Sequence, residues 1–544
     1  MSHISLAISP DNTVNQAMLE KTLTSFGDGN IKLKSGDIED YTRVLAGAHE
    51  VFQKIIDLPD YVPEVEKRCA RKDTHRPTPA ENESNAWAWK VSIKDDAAEG
   101  CLKGMTISLK DNIALADVPC SVGTSYIESW VPKTDATVAT RVLQAGAEIT
   151  GKAVCENLSY FGASISSGNG RMDNVYAKGY SAGGSSSGSA VLVARGECDM
   201  SIGGDQGGSI RLPAAHNGIV GMKPTHGLVP YTGICLLERT IDTTGPMTKD
   251  VLSNALLLKV IAGSDSIDDR QLDGCQSHGQ VPNYPFQAKR SINGLRVGIV
   301  SESLDTDLTD KRYASFVAEA ARKFTDLGAQ VVEEVSVPGT VLASDLWMVI
   351  ARLSAYQNLT GRACGHRGLY LNDFTKKFLP ITQEKLDKMW PSAIVTLTNG
   401  AYAWDNLDPT LMGKTMSLSR KVRDEIDAVL SRYDILVTPT MVKLPSRIDS
   451  VPDSPTPLQK MAYAAGVGLN TCPYSLTGHP AISIPVGFLS PVDDPNVLLP
   501  VGMQIIGKFY DEGTLYCAAY AWESSYDWKK RIYTEAGTGG TGQV

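Results

Sequence analysis

The sequence predicts an α/β fold in which a mixed central sheet is covered by helices on both faces. Short apolar runs typical of buried strands alternate along the chain with segments of helical periodicity. Glycine-rich loops stand between several of these segments. A chain of 544 residues is also longer than a single compact core requires, so we expect two or three lobes.

The N-terminal region, residues 1–75, is predicted to be a helical layer. Apolar residues recur at helical spacing from Gly36 to Leu58, and Pro59 follows the end of the pattern. We expect this layer to serve dimerisation, because it is amphipathic and lies far in sequence from the motifs described below. The segment 71–86 is rich in Pro, Thr, Asn and charge and is expected to be the connection to the main body, residues 76–544.

Strands and helices are predicted to alternate through the main body. The predicted strands are 105–109, 148–154, 295–300 and 435–437, and the predicted helices are 136–144, 311–327 and 421–432. The stretch from about 337 to 416 has weaker periodicity and three tryptophans, so we expect it to form a smaller lobe over the functional site.

Composition excludes several classes of protein. The formal net charge of −9 argues against nucleic acid or an anionic membrane as the main partner. No secretory signal and no apolar run long enough to span a membrane is apparent, so we expect a cytoplasmic protein. The 10 cysteines lack paired spacing, which indicates reduced thiols. Cys69 and His75 have no accompanying ligand motif, so we expect neither a metal nor another cofactor.

Two glycine-serine loops carry the chemistry. The first, Gly-Gly-Ser-Ser-Ser-Gly-Ser at 183–189, leads into an apolar stretch and is predicted to enter a buried helix. The second runs Gly-Gly-Asp-Gln-Gly-Gly-Ser-Ile-Arg at 203–211. The tandem glycines Gly207 and Gly208 allow backbone N–H groups to converge on one point, as in an oxyanion hole. Ser209 is then the natural attacking group.

A serine nucleophile needs a base, and Lys110 at the end of a predicted apolar strand is the candidate. Burial disfavours the charged ammonium and lowers the pKa of a lysine, which leaves it neutral and basic. Ser185 would relay the proton between Ser209 and Lys110. Taken singly these features are not specific: glycine-serine runs are often linkers or phosphate loops, and a lysine at a strand end is often a solvated cap. The Gly-x-x-x-x-Gly-Lys-Ser/Thr phosphate motif is absent from both loops.

Together, Lys110, the loop around Ser185 and the segment that ends after Ser209 resemble the amidase signature family in order, residue identity and spacing. The stretches that follow, 213–242 and 477–507, look most like the branch of broad-specificity amidases associated with nitrile degradation. The resemblance covers roughly residues 80 to 520 and implies hydrolysis of a small-molecule carboxamide to carboxylate and ammonia or amine through an acyl-enzyme.

The resemblance also implies a role for individual residues. It implies Lys110 as base, Ser185 as a relay held through a cis peptide, and Ser209 as nucleophile, with an oxyanion hole formed by the backbone N–H groups of Gln206, Gly207, Gly208 and Ser209. Substrate contacts are expected from Gly183, Gly184, Tyr160 and Trp347. The chain departs from the branch at His216 and lacks a proline often found before the first loop, which puts substrate preference in question.

Other functions remain open at this stage. One alternative is the amidase-like subunit of a tRNA-dependent amidotransferase, although the acidic charge balance opposes direct contact with tRNA. Another is a relative specialised for anilides, hydrazides or esters, since the same residues suit all of these substrates. A non-catalytic binding module is a third, which the joint presence of Lys110, Ser185 and Ser209 opposes.

Overall fold

The computed structural model describes residues 7–26, 31–61, 69–127, 130–271, 274–363, 365–449 and 455–533. The chain divides into two compact units, residues 1–63 and residues 64–544. The helices of the described residues are α1 (Gln16–Leu23), α2 (Ile38–Ile56), α3 (Thr137–Gln144), α4 (Ser187–Arg195), α5 (Arg211–His216), α6 (Val251–Ile261), α7 (Tyr284–Ala288), α8 (Lys311–Arg322), α9 (Gly339–Leu359), α10 (Asn372–Phe378), α11 (Gln383–Lys388), α12 (Pro391–Asn406), α13 (Leu411–Leu430), α14 (Pro457–Ala462), α15 (Cys472–Thr477) and α16 (Glu512–Ser525).

The first unit contains α1 and α2. The predicted helix at 36–58 is observed as α2, where Asp37 precedes the first turn and Asp57 caps the last. Several large apolar side chains on α2 are exposed, among them Phe52, Ile55 and Ile56. The helical layer therefore presents apolar surface to solvent.

A single mixed sheet organises the second unit. Its strands are β1 (Lys72–His75), β2 (Trp87–Ile93), β3 (Thr106–Lys110), β4 (Glu148–Ala153), β5 (Met200–Asp205), β6 (Val220–Lys223), β7 (Thr243–Thr248), β8 (Arg296–Val300), β9 (Val331–Val335), β10 (Ile435–Pro439), β11 (Ala481–Leu489) and β12 (Leu499–Ile506). They lie in the order β1-β2-β4-β3-β5-β7-β6-β11-β12-β10-β8-β9. The pairs β3–β4, β3–β5, β8–β9 and β8–β10 are parallel, and the other neighbours are antiparallel.

Helices cover both faces of this sheet, which confirms the predicted α/β class. On β3, Ile107 and Leu109 pack into a core that includes side chains of α3, α6, α8 and α16. A separate core joins α4 to Ala153 and Met247. Because successive residues of a strand point to opposite faces, Lys110 faces away from the core that contains Leu109.

Two segments differ from the sequence-based expectation. The stretch 71–86 contains β1, which pairs antiparallel with β2, so it belongs to the sheet and the unit boundary lies at 63 rather than 75. The stretch 337–416 is mainly helical, from α9 to the start of α13, and it does not separate from the second unit. Its weak periodicity follows from helices such as α9, which are apolar on more than one side.

Among the helices of the described residues, none combines the length and the apolar character that crossing a lipid bilayer requires. All nine cysteines that the structure describes are free thiols.

Candidate active site

The ends of two neighbouring strands bring the sequence motifs together. Strands β3 and β5 are parallel and adjacent, with Leu109 opposite Ile202. They therefore end at the same edge of the sheet, where β3 delivers Lys110 and β5 continues into the loop that carries Ser209. Sites of α/β proteins commonly lie at the carboxyl ends of their strands.

Lys110 is completely buried. Its Nζ donates to Ser185 Oγ at 2.8 Å and to the carbonyl oxygen of Gly204 at 3.3 Å. No salt bridge reaches this amine from any described carboxylate. Burial outweighs the attraction of more distant acidic groups and lowers the pKa of Lys110 from 10.5 to about 8. The lysine thus has the environment that a neutral amine base requires.

Ser185 lies at the end of a cis peptide bond from Gly184 and is completely buried. Its carbonyl oxygen accepts from the backbone N–H of Glu156 at 3.1 Å. The Glu156 carboxylate in turn accepts from Ser166 N at 3.0 Å and from Ser187 Oγ at 3.3 Å. Burial raises the pKa of Glu156 to about 7, against the effect of these hydrogen bonds. Glu156 therefore ties the first serine loop to the segment after β4, a role that sequence reasoning missed.

Ser209 lies beside the first loop, because its carbonyl oxygen accepts from Ser186 N at 3.2 Å. Its side chain lines a cavity of about 520 Å³. Within the described part of the chain no hydrogen bond links Ser209 Oγ to another residue, so the Lys110–Ser185 contact is formed while the Ser185–Ser209 contact is not. The hydroxyl of Ser209 is accordingly free to meet a ligand in the cavity.

The predicted oxyanion donors divide into two groups. The Gly208 N–H donates to Asp205 Oδ1 at 2.6 Å, so it is engaged by the protein and does not match the predicted role. The N–H groups of Gln206, Gly207 and Ser209 donate to no acceptor among the described residues. Three of the four expected donors are therefore available beside Ser209.

A buried ion pair fixes the loop that presents these donors. Asp205 and Arg211, both inaccessible to solvent, meet at 2.9 Å between Oδ1 and Nη2 and at 2.9 Å between Oδ2 and Nε. Burial alone raises the pKa of Asp205, but the Arg211 guanidinium outweighs it and holds the pKa at about 2. Arg211 also donates to Thr471 O at 3.0 Å and Gln504 Oε1 at 2.6 Å. Asp205 and Arg211 both belong to the second glycine-serine loop, but the sequence of that loop did not indicate that their side chains form an ion pair.

Trp347 on α9 covers the same loop from the cavity side. Its indole Nε1 donates to the carbonyl oxygen of Gln206 at 2.7 Å. A Cβ atom built on Gly207 would lie 2.5 Å from Trp347 Cζ2, so only glycine fits beneath the indole. On the opposite side, Thr471 Oγ1 donates to Gly207 O at 2.6 Å. The Gly207 peptide is thus held between an aromatic ring and a threonine.

Three of the four residues predicted to contact the substrate line the cavity next to Ser209. Gly184, Tyr160 and Trp347 all line it. Gly183 does not, because it packs against His216 and Pro213 beneath the loop. His216, the departure noted in the sequence, is buried, and burial lowers its pKa to about 4. It therefore contributes a neutral ring to the packing behind the first loop.

The described residues contain no group of three His, Cys, Asp or Glu side chains placed to hold a metal ion. What the site offers is a buried amine, two serines and free backbone donors around one cavity.

Comparison with known proteins identifies the family and the fold that this chain resembles. A family model described as Amidase matches residues 67–516. An enantioselective amidase from Rhodococcus rhodochrous is 40% identical over 453 residues, which are 82% of this chain and 84% of that protein. A glutamyl-tRNA(Gln) amidotransferase subunit from Lactococcus lactis subsp. cremoris (strain SK11) is 33% identical over 439 residues, 79% of this chain and 84% of its own. The crystal structure of a peptide amidase with the competitive inhibitor chymostatin has a TM-score of 0.62 at 27% identity, covering 79% of this chain and 85% of the other.

Proposed function

The chain belongs to the amidase signature family and is an amide hydrolase, and from this premise we propose that Lys110, Ser185 and Ser209 are its catalytic triad. The observation that carries the proposal is the 2.8 Å hydrogen bond from the buried Lys110 Nζ to Ser185 Oγ. A lysine with a pKa of about 8 has an appreciable neutral fraction near neutral pH, as a base requires.

In the proposed reaction, Ser209 Oγ attacks the carbonyl carbon of the amide. Its proton passes to Ser185, and a proton of Ser185 passes to the neutral amine of Lys110. The negative oxygen of the tetrahedral intermediate accepts hydrogen bonds from the free N–H groups of Gln206, Gly207 and Ser209. The C–N bond then breaks as the Lys110 proton returns through Ser185 to the leaving nitrogen. Water then attacks the ester that remains on Ser209, with its proton passing through Ser185 to Lys110. The proton returns to Ser209 Oγ as the carboxylate is released.

Replacement of Ser209 tests the assignment of the nucleophile. The Ser209→Ala protein should lose turnover of every amide and keep its fold, because the Ser209 hydroxyl lines the cavity and forms no hydrogen bond with another described residue. Ser189→Ala is the matched control, since the buried Ser189 hydroxyl on α4 has no hydrogen-bond partner among the described residues. Release of ammonia or amine from aliphatic and aromatic primary amides, anilides and hydrazides measures activity. Near-normal turnover by a folded Ser209→Ala protein would refute the proposal.

We propose simple carboxamides as the substrates, with anilides and hydrazides as alternatives that the same screen distinguishes. Esters are a third alternative, which acid release from the corresponding methyl esters measures. The similarity to an enantioselective amidase supports this choice. Apolar cavity walls discriminate weakly, by roughly 1 to 3 kcal/mol per methylene, so several acyl groups should be accepted.

A homodimer formed through residues 1–63 is a further part of the proposal. Phe52, Ile55 and Ile56 on α2 are more than half exposed, and exposed apolar patches commonly mark interfaces. Light scattering of the full chain should give twice the mass of one chain, and Phe52→Asp together with Ile55→Asp should halve it. A one-chain mass for the unmodified protein across micromolar concentrations would refute the dimer. The free thiols support a reducing, cytoplasmic location.

A component of a tRNA-dependent amidotransferase is the second candidate, because a curated relative with that name is 33% identical. Size-exclusion chromatography of the chain with tRNA separates the two candidates. We expect no co-elution, since the net charge of −9 disfavours a polyanion. Co-elution, together with no hydrolysis of free amides by the isolated chain, would favour the amidotransferase component.

A further inference from the structure

The cavity beside Ser209 has a mainly apolar wall with one unusual cation. Helix α9 forms one side of it and contributes Trp347, Met348, Ala351, Arg352 and Ala355. Arg352 lies five residues beyond Trp347, which is about 7.5 Å further along the helix axis. Since Trp347 covers the Gly207 peptide, this axial offset separates the cation from the candidate oxyanion donors within the same cavity.

Arg352 has no negatively charged partner among the residues that the structure describes. Its Nη1 donates to the hydroxyl of Thr396, while its Nε is buried with no hydrogen-bond partner among the described residues. No described carboxylate forms a salt bridge with it, and burial lowers the pKa of its guanidinium. Buried cations are normally paired, because an unpaired charge loses its hydration without compensation. Since no described residue neutralises Arg352, an anionic group of a ligand in the cavity could supply the partner.

Tyr160 adds a second unused donor to this end of the cavity. Its hydroxyl is buried and has no partner among the described residues, and Tyr160 and Arg352 are close enough to affect each other's pKa. Two other charged residues line the cavity. Glu238 already accepts from Thr240 N at 3.0 Å and from the Thr240 hydroxyl at 2.7 Å, and Asp345 is exposed. The unmatched groups inside the cavity thus include two donors suited to one anionic acceptor.

We propose that Arg352 and Tyr160 bind a carboxylate carried by the substrate at a distance from the scissile amide, so that the preferred substrates are monoamides of dicarboxylic acids. This inference rests on the proposed amide hydrolysis and specifies its substrate class. The Arg352 guanidinium pairs with the carboxylate, the Tyr160 hydroxyl donates to the same group, and the apolar wall around Met348 and Ala351 contacts the methylene chain.

The test compares succinamate, glutaramate and adipamate with their neutral diamides, which have nearly the same shape. Hydrogen bonds to charged groups are worth roughly tenfold to hundredfold in affinity. The unmodified enzyme should therefore show a kcat/KM at least about tenfold higher for the best monoamide than for its diamide, counted per amide group. Arg352→Met keeps the aliphatic bulk and should remove this preference mainly through KM, while diamide hydrolysis stays within about threefold.

Two further variants and one binding measurement complete the test. Arg352→Lys should retain part of the preference, and Tyr160→Phe should lower the ratio of monoamide to diamide kcat/KM, whatever its effect on the hydrolysis of both. Calorimetric binding of adipamate and adipamide to the Ser209→Ala protein measures recognition without turnover. Tighter binding of adipamate with no hydrolysis by the unmodified enzyme would contradict the proposed function and support this site. Hydrolysis without preference for the monoamides, or an equal loss for both series in Arg352→Met, would overturn the carboxylate site and leave the hydrolase intact.

Discussion

The pH dependence of the reaction is the most direct consequence of the buried Lys110. With a pKa of about 8, roughly 9% of Lys110 is neutral at pH 7. With the ordinary lysine value of 10.5 the neutral fraction would be roughly 0.03%, so burial increases the active fraction by about 300-fold. Only the neutral amine accepts a proton. The kcat/KM for an uncharged amide should therefore rise about tenfold per pH unit below 8 and level off above it.

Measurement of kcat/KM for benzamide, by ammonia release from about pH 5.5 to 10, checks this expectation. Lys110→Arg should be as inactive as Lys110→Met, because a guanidinium does not deprotonate in this range. Glu156 is a second titrating group next to Ser185, with a pKa of about 7. Glu156→Gln removes that group, and the rise of kcat/KM that levels off near pH 8 should remain. A flat profile from pH 6 to 9, or substantial activity of Lys110→Arg with an unchanged profile, would refute the role of Lys110 as base.

Three further predictions concern the loop and the chemistry around it. Gly207→Ala places a Cβ 2.5 Å from Trp347 Cζ2. We therefore expect kcat to fall about 100-fold and the free energy of unfolding to fall by about 1–3 kcal/mol. Adding Trp347→Ala to the same chain should restore part of the free energy of unfolding measured in urea. Asp205→Asn leaves the buried Arg211 without its charged partner and should lower the free energy of unfolding by about 3–5 kcal/mol. Glu334→Gln, at an exposed ion pair, should lower it by less than about 1 kcal/mol. Exhaustive chelation should leave the rate unchanged, and a loss of activity restored by a divalent ion would contradict the metal-free mechanism.

The strands that build the site could be predicted because their signals are local. The apolar runs at 105–109 and 148–154 correspond to β3 and β4 with shifts of one residue at most. Helix α4, which begins in the first serine loop, contains an apolar stretch from Ala190 to Ala194 that no glycine interrupts before Gly196. β1 was missed, because a short strand of charged and polar residues has no apolar pattern and forms only by pairing with β2.

The sequence by itself predicted the chemistry, because Lys110, Ser185 and Ser209 occur in linear motifs whose order and spacing are specific. Only the tertiary structure decided which groups remain free to act. It showed that Asp205 occupies the Gly208 N–H, and that Trp347 contacts a loop from which it is separated by 141 residues. It also left the Arg352 guanidinium without a described carboxylate partner. Hydrogen bonding and burial of this kind depend on contacts between residues far apart in the chain, which local periodicity and motif spacing do not encode.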